Sequence, residues 1–73
     1  MNGIRIDILS RLIGAYRETK ENPVKLETKI STYIMHVGNV EHGIFRRCDI
    51  QKVDKRTGEV KISSHLVSIE YLE

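Results

Sequence analysis

The chain has 73 residues, 12 Lys and Arg against 10 Asp and Glu for a formal charge of +2, and one cysteine, Cys48. That is a single domain, 1–73, with a thin core, no internal disulfide and no cysteine-based metal motif. The charge is too small to signal nucleic-acid binding by itself, and no segment approaches the ~18 apolar residues of a membrane span.

Ile4, Ile8, Leu9, Leu12, Ile13 and Tyr16 recur at helical spacing, with Asp7, Arg11 and Glu18 on the opposite side. This predicts an amphipathic helix over about residues 4–20. Asp7, Ser10 and Arg11 also break any apolar signal region. With the lone cysteine, this leads us to expect a soluble, cytoplasmic protein. Gly14 costs about 1 kcal/mol relative to alanine in a helix; close packing against a strand would account for it. The apolar arc also includes Ile6 and Ala15. It is broader than a surface helix needs, so Ile6, Leu9, Ile13 and Tyr16 are candidate self-association residues. Asn22-Pro23 ends the helix.

Residues 24–37 admit two readings. Val24, Leu26, Thr28, Ile30, Thr32 and Ile34 alternate with polar positions, which is strand periodicity. Leu26, Ile30, Tyr33, Ile34 and Val37 also fit a helix, with Asn22 as its N-cap and Gly38 after its end. The β-branched content and the turn candidate Gly38-Asn39 favour a strand. That turn pairs Val37 with Val40, His36 with Glu41, Met35 with His42 and Tyr33 with Ile44. Both faces of the hairpin then carry apolar groups, so one must meet the helix or a second copy. Tyr33 and Met35 join the self-association candidates.

Val53-Asp54-Lys55-Arg56-Thr57-Gly58-Glu59-Val60 is a turn between β-rich runs, with Asp54 capping it and Gly58 supplying a positive φ. Simple pairing of Val53 with Val60 sends Ile62 and Ile50 to opposite faces. A β-bulge near residues 51–53 would reunite them. Ser64-His65 reads as a corner, and Val67, Ile69 and Tyr71 alternate in a last strand over 66–72. The sum is an α+β fold: an N-terminal amphipathic helix and a β-rich part over about 24–72, a curved, small barrel-like antiparallel sheet of about four strands. The alternative is two helices plus a three-stranded meander.

Chemistry-bearing patterns are sparse. The Gly38-Asn39 turn would put His36 and His42 on opposite faces, which with the isolated His65 leaves no metal set. Ser63-Ser64-His65 is not a triad, and Cys48 would face His65 only in the simple register. The five glycines build no phosphate loop. We expect no cofactor, no catalytic or metal residue and no small-molecule substrate. Arg46, Arg47, Lys52, Lys55, Arg56 and Lys61 form a mildly basic hairpin that could touch phosphates, although no aromatic residue interleaves with them.

The order helix, strand, Gly43-Ile44-Phe45, Ile50-Gln51-Lys52-Val53-Asp54, Glu59-Val60-Lys61-Ile62, then Leu66-Val67-Ser68-Ile69-Glu70 resembles the small barrels of YolD-like proteins of Gram-positive bacteria, their phages and plasmids, and the Sm-like barrels. It spans about residues 24–72. Ser63-Ser64-His65-Leu66 replaces the Phe-Asp-Asp-Ile type of segment, and the Sm glycine and asparagine signature is missing. The resemblance implies a small adaptor or RNA-type barrel of bacterial or phage origin and carries no site residue across. The expectation is a non-enzymatic interaction or regulatory module, a homo-oligomer or partner of another protein, with nucleic-acid binding through the basic hairpin as the alternative.

Overall fold

A computed structural model describes residues 5–73; the expected helix start at Ile4 lies outside them. Helix α1 (Ile6–Thr19) is followed by strands β1 (Val24–Glu27), β2 (Ser31–His42), β3 (Phe45–Asp54) and β4 (Val60–Ser68) and a short helix α2 (Ile69–Leu72). The strands form one antiparallel sheet in the order β1-β2-β3-β4. The fold is therefore α+β, a helix followed by a four-stranded sheet, and the sheet is open rather than closed into a barrel. Residues 24–37 hold no helix: they are β1, a turn at 28–30 and the first part of β2.

In α1, Asp7 lies in the first turn, where its carboxylate accepts from the Ile8 N–H at 3.0 Å, and Arg17 lies in the last. Both charges oppose the helix dipole favourably. The helix ends where Lys20 takes a left-handed φ of 57° and returns its N–H to the Tyr16 carbonyl at 2.7 Å. Ile8, Leu12 and Ile13 pack on one side of the sheet with Val24, Tyr33, Met35, Val37, Cys48, Ile50, Val67 and Leu72. This inner side holds the core. Gly14 faces open space: a β-carbon there would meet nothing within 4 Å. Close packing is therefore not the reason for that glycine.

The partition of the strands differs from the expectation. Thr28-Lys29-Ile30 turns the chain between β1 and β2, where Thr28 donates both its N–H and its hydroxyl to the Ser31 carbonyl at 2.9 and 3.1 Å. Gly38-Asn39 is no turn. The strand runs on to His42, and the turn sits at Gly43-Ile44, with Gly43 at φ 65° and His42 opposite Phe45. His36 consequently pairs with Asp49, Met35 with Ile50 and Tyr33 with Lys52. The bulge lies in β2, where the register shifts between Val37 and Glu41. A β-carbon on Gly38 would stand 3.0 Å from the Arg47 carbonyl oxygen, so close backbone approach selects glycine there.

No bulge forms near residues 51–53. β3 and β4 pair without a shift from Phe45–Ser68 to Val53–Val60. The cost of simple pairing is met in full: Ile50 is buried, while Ile62, opposite Gln51, is 67 % exposed on the other side. The Asp54 turn forms as read, with Asp54 Oδ1 accepting from the Arg56 and Thr57 N–H groups at 2.8 and 3.0 Å and Gly58 at φ 79°. No corner forms at Ser64-His65, because β4 runs straight through it. The last segment is part strand and part helix: at Ser68 the chain turns into α2, capped by the Ser68 hydroxyl accepting from the Tyr71 N–H at 3.4 Å, and buries Leu72.

Asn22 does not cap a helix. Its side-chain amide donates to the Val37 carbonyl at 2.8 Å and accepts from the Val37 N–H at 2.9 Å. The β1–β2 register, Val24 with Met35, extrapolates to residue 22 opposite Val37. The side chain thus continues the ladder where the β1 backbone stops.

Candidate interaction surface

Strand alternation assigns every residue of β3 and β4 to a side. Phe45, Arg47, Asp49, Gln51 and Val53 face away from α1, as do their β4 counterparts Ser68, Leu66, Ser64, Ile62 and Val60. On β2, Thr32, Ile34 and His36 join them. Core burial stays on the other side, so no described helix packs on this outer side. Val60 is 52 %, Ile62 67 % and Leu66 61 % exposed, and Ile34 and Val53 are half-buried beside them. An apolar strip of this kind marks a contact surface more often than scattered single residues do.

The expected self-association residues divide. Ile13, Tyr33 and Met35 are buried in the protein's own core, which removes them from any surface. Leu9 and Tyr16 are half-buried against that core, and Ile6 is exposed. Sequence reasoning did register that one face of the first hairpin needed a partner. Tyr33 and Met35 lie on the core-facing side instead, and Ile34 is the residue between them on the uncovered side. The signal for Ile62 was present too, in the register conflict that a bulge was invoked to remove.

The basic set does not converge. Arg46 and Arg47 lie on opposite sides of β3, as alternation requires. Arg46 approaches Glu41 at 3.7 Å, Arg47 pairs with Asp49 at 3.0 Å, and Lys55 pairs with Glu27 at 2.8 Å. Lys52 and Lys61 stand opposite each other on the inner side, with Lys52 over the Tyr33 ring at 5.9 Å. Arg56 sits at the turn, where Lys29, Ile30, Asp54 and Lys55 line a shallow cleft with it.

The outer side also carries a polar network. The Ser64 hydroxyl and the Arg47 guanidinium both donate to Asp49, and these two bonds, the hydroxyl first, hold its carboxyl below the ordinary range. His36 and His42 fall on this same side, not on opposite ones, because the bulge preserves the alternation. Among the described residues no group of three His, Cys, Asp or Glu is placed to hold a metal ion. Cys48 does stand opposite His65, but the thiol is buried, and desolvation followed by the neighbouring Asp49 charge pushes its pKa up. A thiol so placed is a poor nucleophile. The His65 Nε2 instead meets the Ser63 hydroxyl at 3.2 Å.

No described helix is long and apolar enough to cross a membrane. Comparison with family models, curated proteins and solved structures gives no match for this chain.

Proposed function

We propose that this chain is a small non-enzymatic interaction module that self-associates through the uncovered side of its sheet. The observation that carries this reading is the exposure of Val60, Ile62 and Leu66 in one strand. Burying a large aliphatic side chain is worth about 1.5–3 kcal/mol, and small domains gain much of their stability by association. The inert setting of Cys48 supports a non-catalytic role. The basic residues are not the basis of the reading, since they are split between both sides of the sheet and three of them are held in ion pairs. Cys48 as the single, buried thiol suits the reducing cytoplasm.

Sedimentation equilibrium from micromolar to submillimolar concentration tests the reading. The expected result is a mass rising above that of the 8.4 kDa chain as concentration increases. A strict monomer throughout refutes it.

A further inference from the structure

The two edges of the sheet are unlike. β1 offers only four residues, two of them charged (Lys25 and Glu27), and the Asn22 side chain extends its pairing with β2 to Val37. β4 offers nine residues with one charge, Lys61, and among the described residues no strand lies beside its outer edge. A long, weakly charged edge is a template for another strand.

Two backbone bonds fix which groups are free. The Asp54 N–H donates to the Glu59 carbonyl at 2.9 Å, and the Ile69 N–H donates to the Ile44 carbonyl at 2.8 Å. Antiparallel ladders alternate. Odd-numbered residues of β4 therefore direct N–H and C=O toward β3. Val60, Ile62, Ser64, Leu66 and Ser68 direct theirs to the open edge.

Building on the self-association reading, we propose that a second copy pairs antiparallel on this edge, β4 against β4, about a two-fold axis through Ser64. This register engages the full strand, Val60 to Ser68. Val60 meets Ser68, Ile62 meets Leu66, and Ser64 meets its own copy. Every edge-facing residue then meets an edge-facing residue, giving about ten backbone hydrogen bonds at two per bonded pair. The two most exposed apolar side chains of the strand, Ile62 and Leu66, lie across from each other twice. Lys61 meets Val67, so no like charges oppose. A slip of two residues leaves part of each strand unpaired and sets Ile62 against Ser64 or Ser68. The product is one continuous sheet whose apolar outer sides join.

Two variants of the full chain test this by sedimentation and cross-linking. Ile62→Pro removes an edge-facing N–H and none from the β3 ladder, the one kind of strand position proline tolerates. Ser64→Cys sets two thiols at the axis, where Cα atoms of a bonded pair are about 5.5 Å apart, within disulfide reach. Cys48, fully buried, does not compete. Dissociation of the Ile62→Pro dimer at least tenfold more readily, with unchanged far-UV circular dichroism, is expected. Ser64→Cys should oxidise to a covalent dimer, and Ser10→Cys, exposed on α1, should not. If Ile62→Pro unfolds, Ile62→Lys combined with Leu66→Lys opposes like charges across the axis and replaces it. A dimer that survives these edge variants, or a Ser64→Cys protein that does not cross-link, overturns the edge pairing and leaves self-association standing. A strictly monomeric wild type overturns both.

Discussion

Asn22→Ala is expected to cost about 2–4 kcal/mol. The asparagine amide makes two bonds to one residue, at 2.8 and 2.9 Å, and Val37 is only 5 % exposed. A net hydrogen bond contributes about 1 kcal/mol, and a buried group left without a partner costs about 1–3 kcal/mol. Two such groups on Val37, each at about 1–2 kcal/mol because they lie where β1 ends and water can approach, give the range. A domain of this length has roughly 4–11 kcal/mol in all, at about 0.05–0.15 kcal/mol per residue, so the loss is a large share. Urea unfolding should show a lower midpoint at an unchanged slope. Asn22→Asp separates the two bonds. Its ionised carboxylate still accepts from the Val37 N–H but sets a second oxygen against the Val37 carbonyl. Protonation restores a donor, so this variant should recover relative to Asn22→Ala as pH falls. An Asn22→Ala protein within about 0.5 kcal/mol of wild type, the range of an ordinary surface substitution, would refute the idea that a side chain completes the ladder.

The glycines should respond in opposite directions: Gly14→Ala, on an ordinary helix position with open space, should stabilise by about 0.4–1 kcal/mol, and Gly58→Ala, at φ 79°, should destabilise by roughly 1–2 kcal/mol, both read as midpoint shifts in urea. Stability should also fall on acidification. Glu27 is held below its ordinary value by Lys55, Asp49 by Ser64 and Arg47, and Asp54 by the N–H groups of Thr57 and Arg56. A depressed folded-state pKa gives stability that is present above the unfolded value of about 4 and is lost as pH drops through the folded one. A urea midpoint that stays level or rises from pH 7 to pH 3 would contradict this.

Local chemistry was legible in the sequence. The helix, the strand reading of 24–37, the Asp54 cap and the Gly58 turn follow from spacing and from side chains that act on their own neighbourhood. Non-local register was harder. Gly38-Asn39 carries a strong hairpin signal, yet Gly38 is a glycine because the Arg47 carbonyl passes close by, and that approach exists only once β3 has paired with β2. Period-two alternation across 24–34 concealed the Thr28-Lys29-Ile30 turn, since that turn is held by a threonine hydroxyl rather than by glycine or proline. Faces were harder still. Alternation puts Tyr33 and Met35 on one face and Ile34 on the other wherever the turn falls, but it does not say which face meets the core, and reuniting Ile62 with Ile50 required a bulge that the chain does not make.

The amide at Asn22 has a meaning beyond stability. Both of its bonds run inward to Val37, at a point of β2 that the four residues of β1 are too few to reach. A side chain stands in for the missing length of main chain, so a foreign strand finds neither the Val37 donor nor its acceptor vacant.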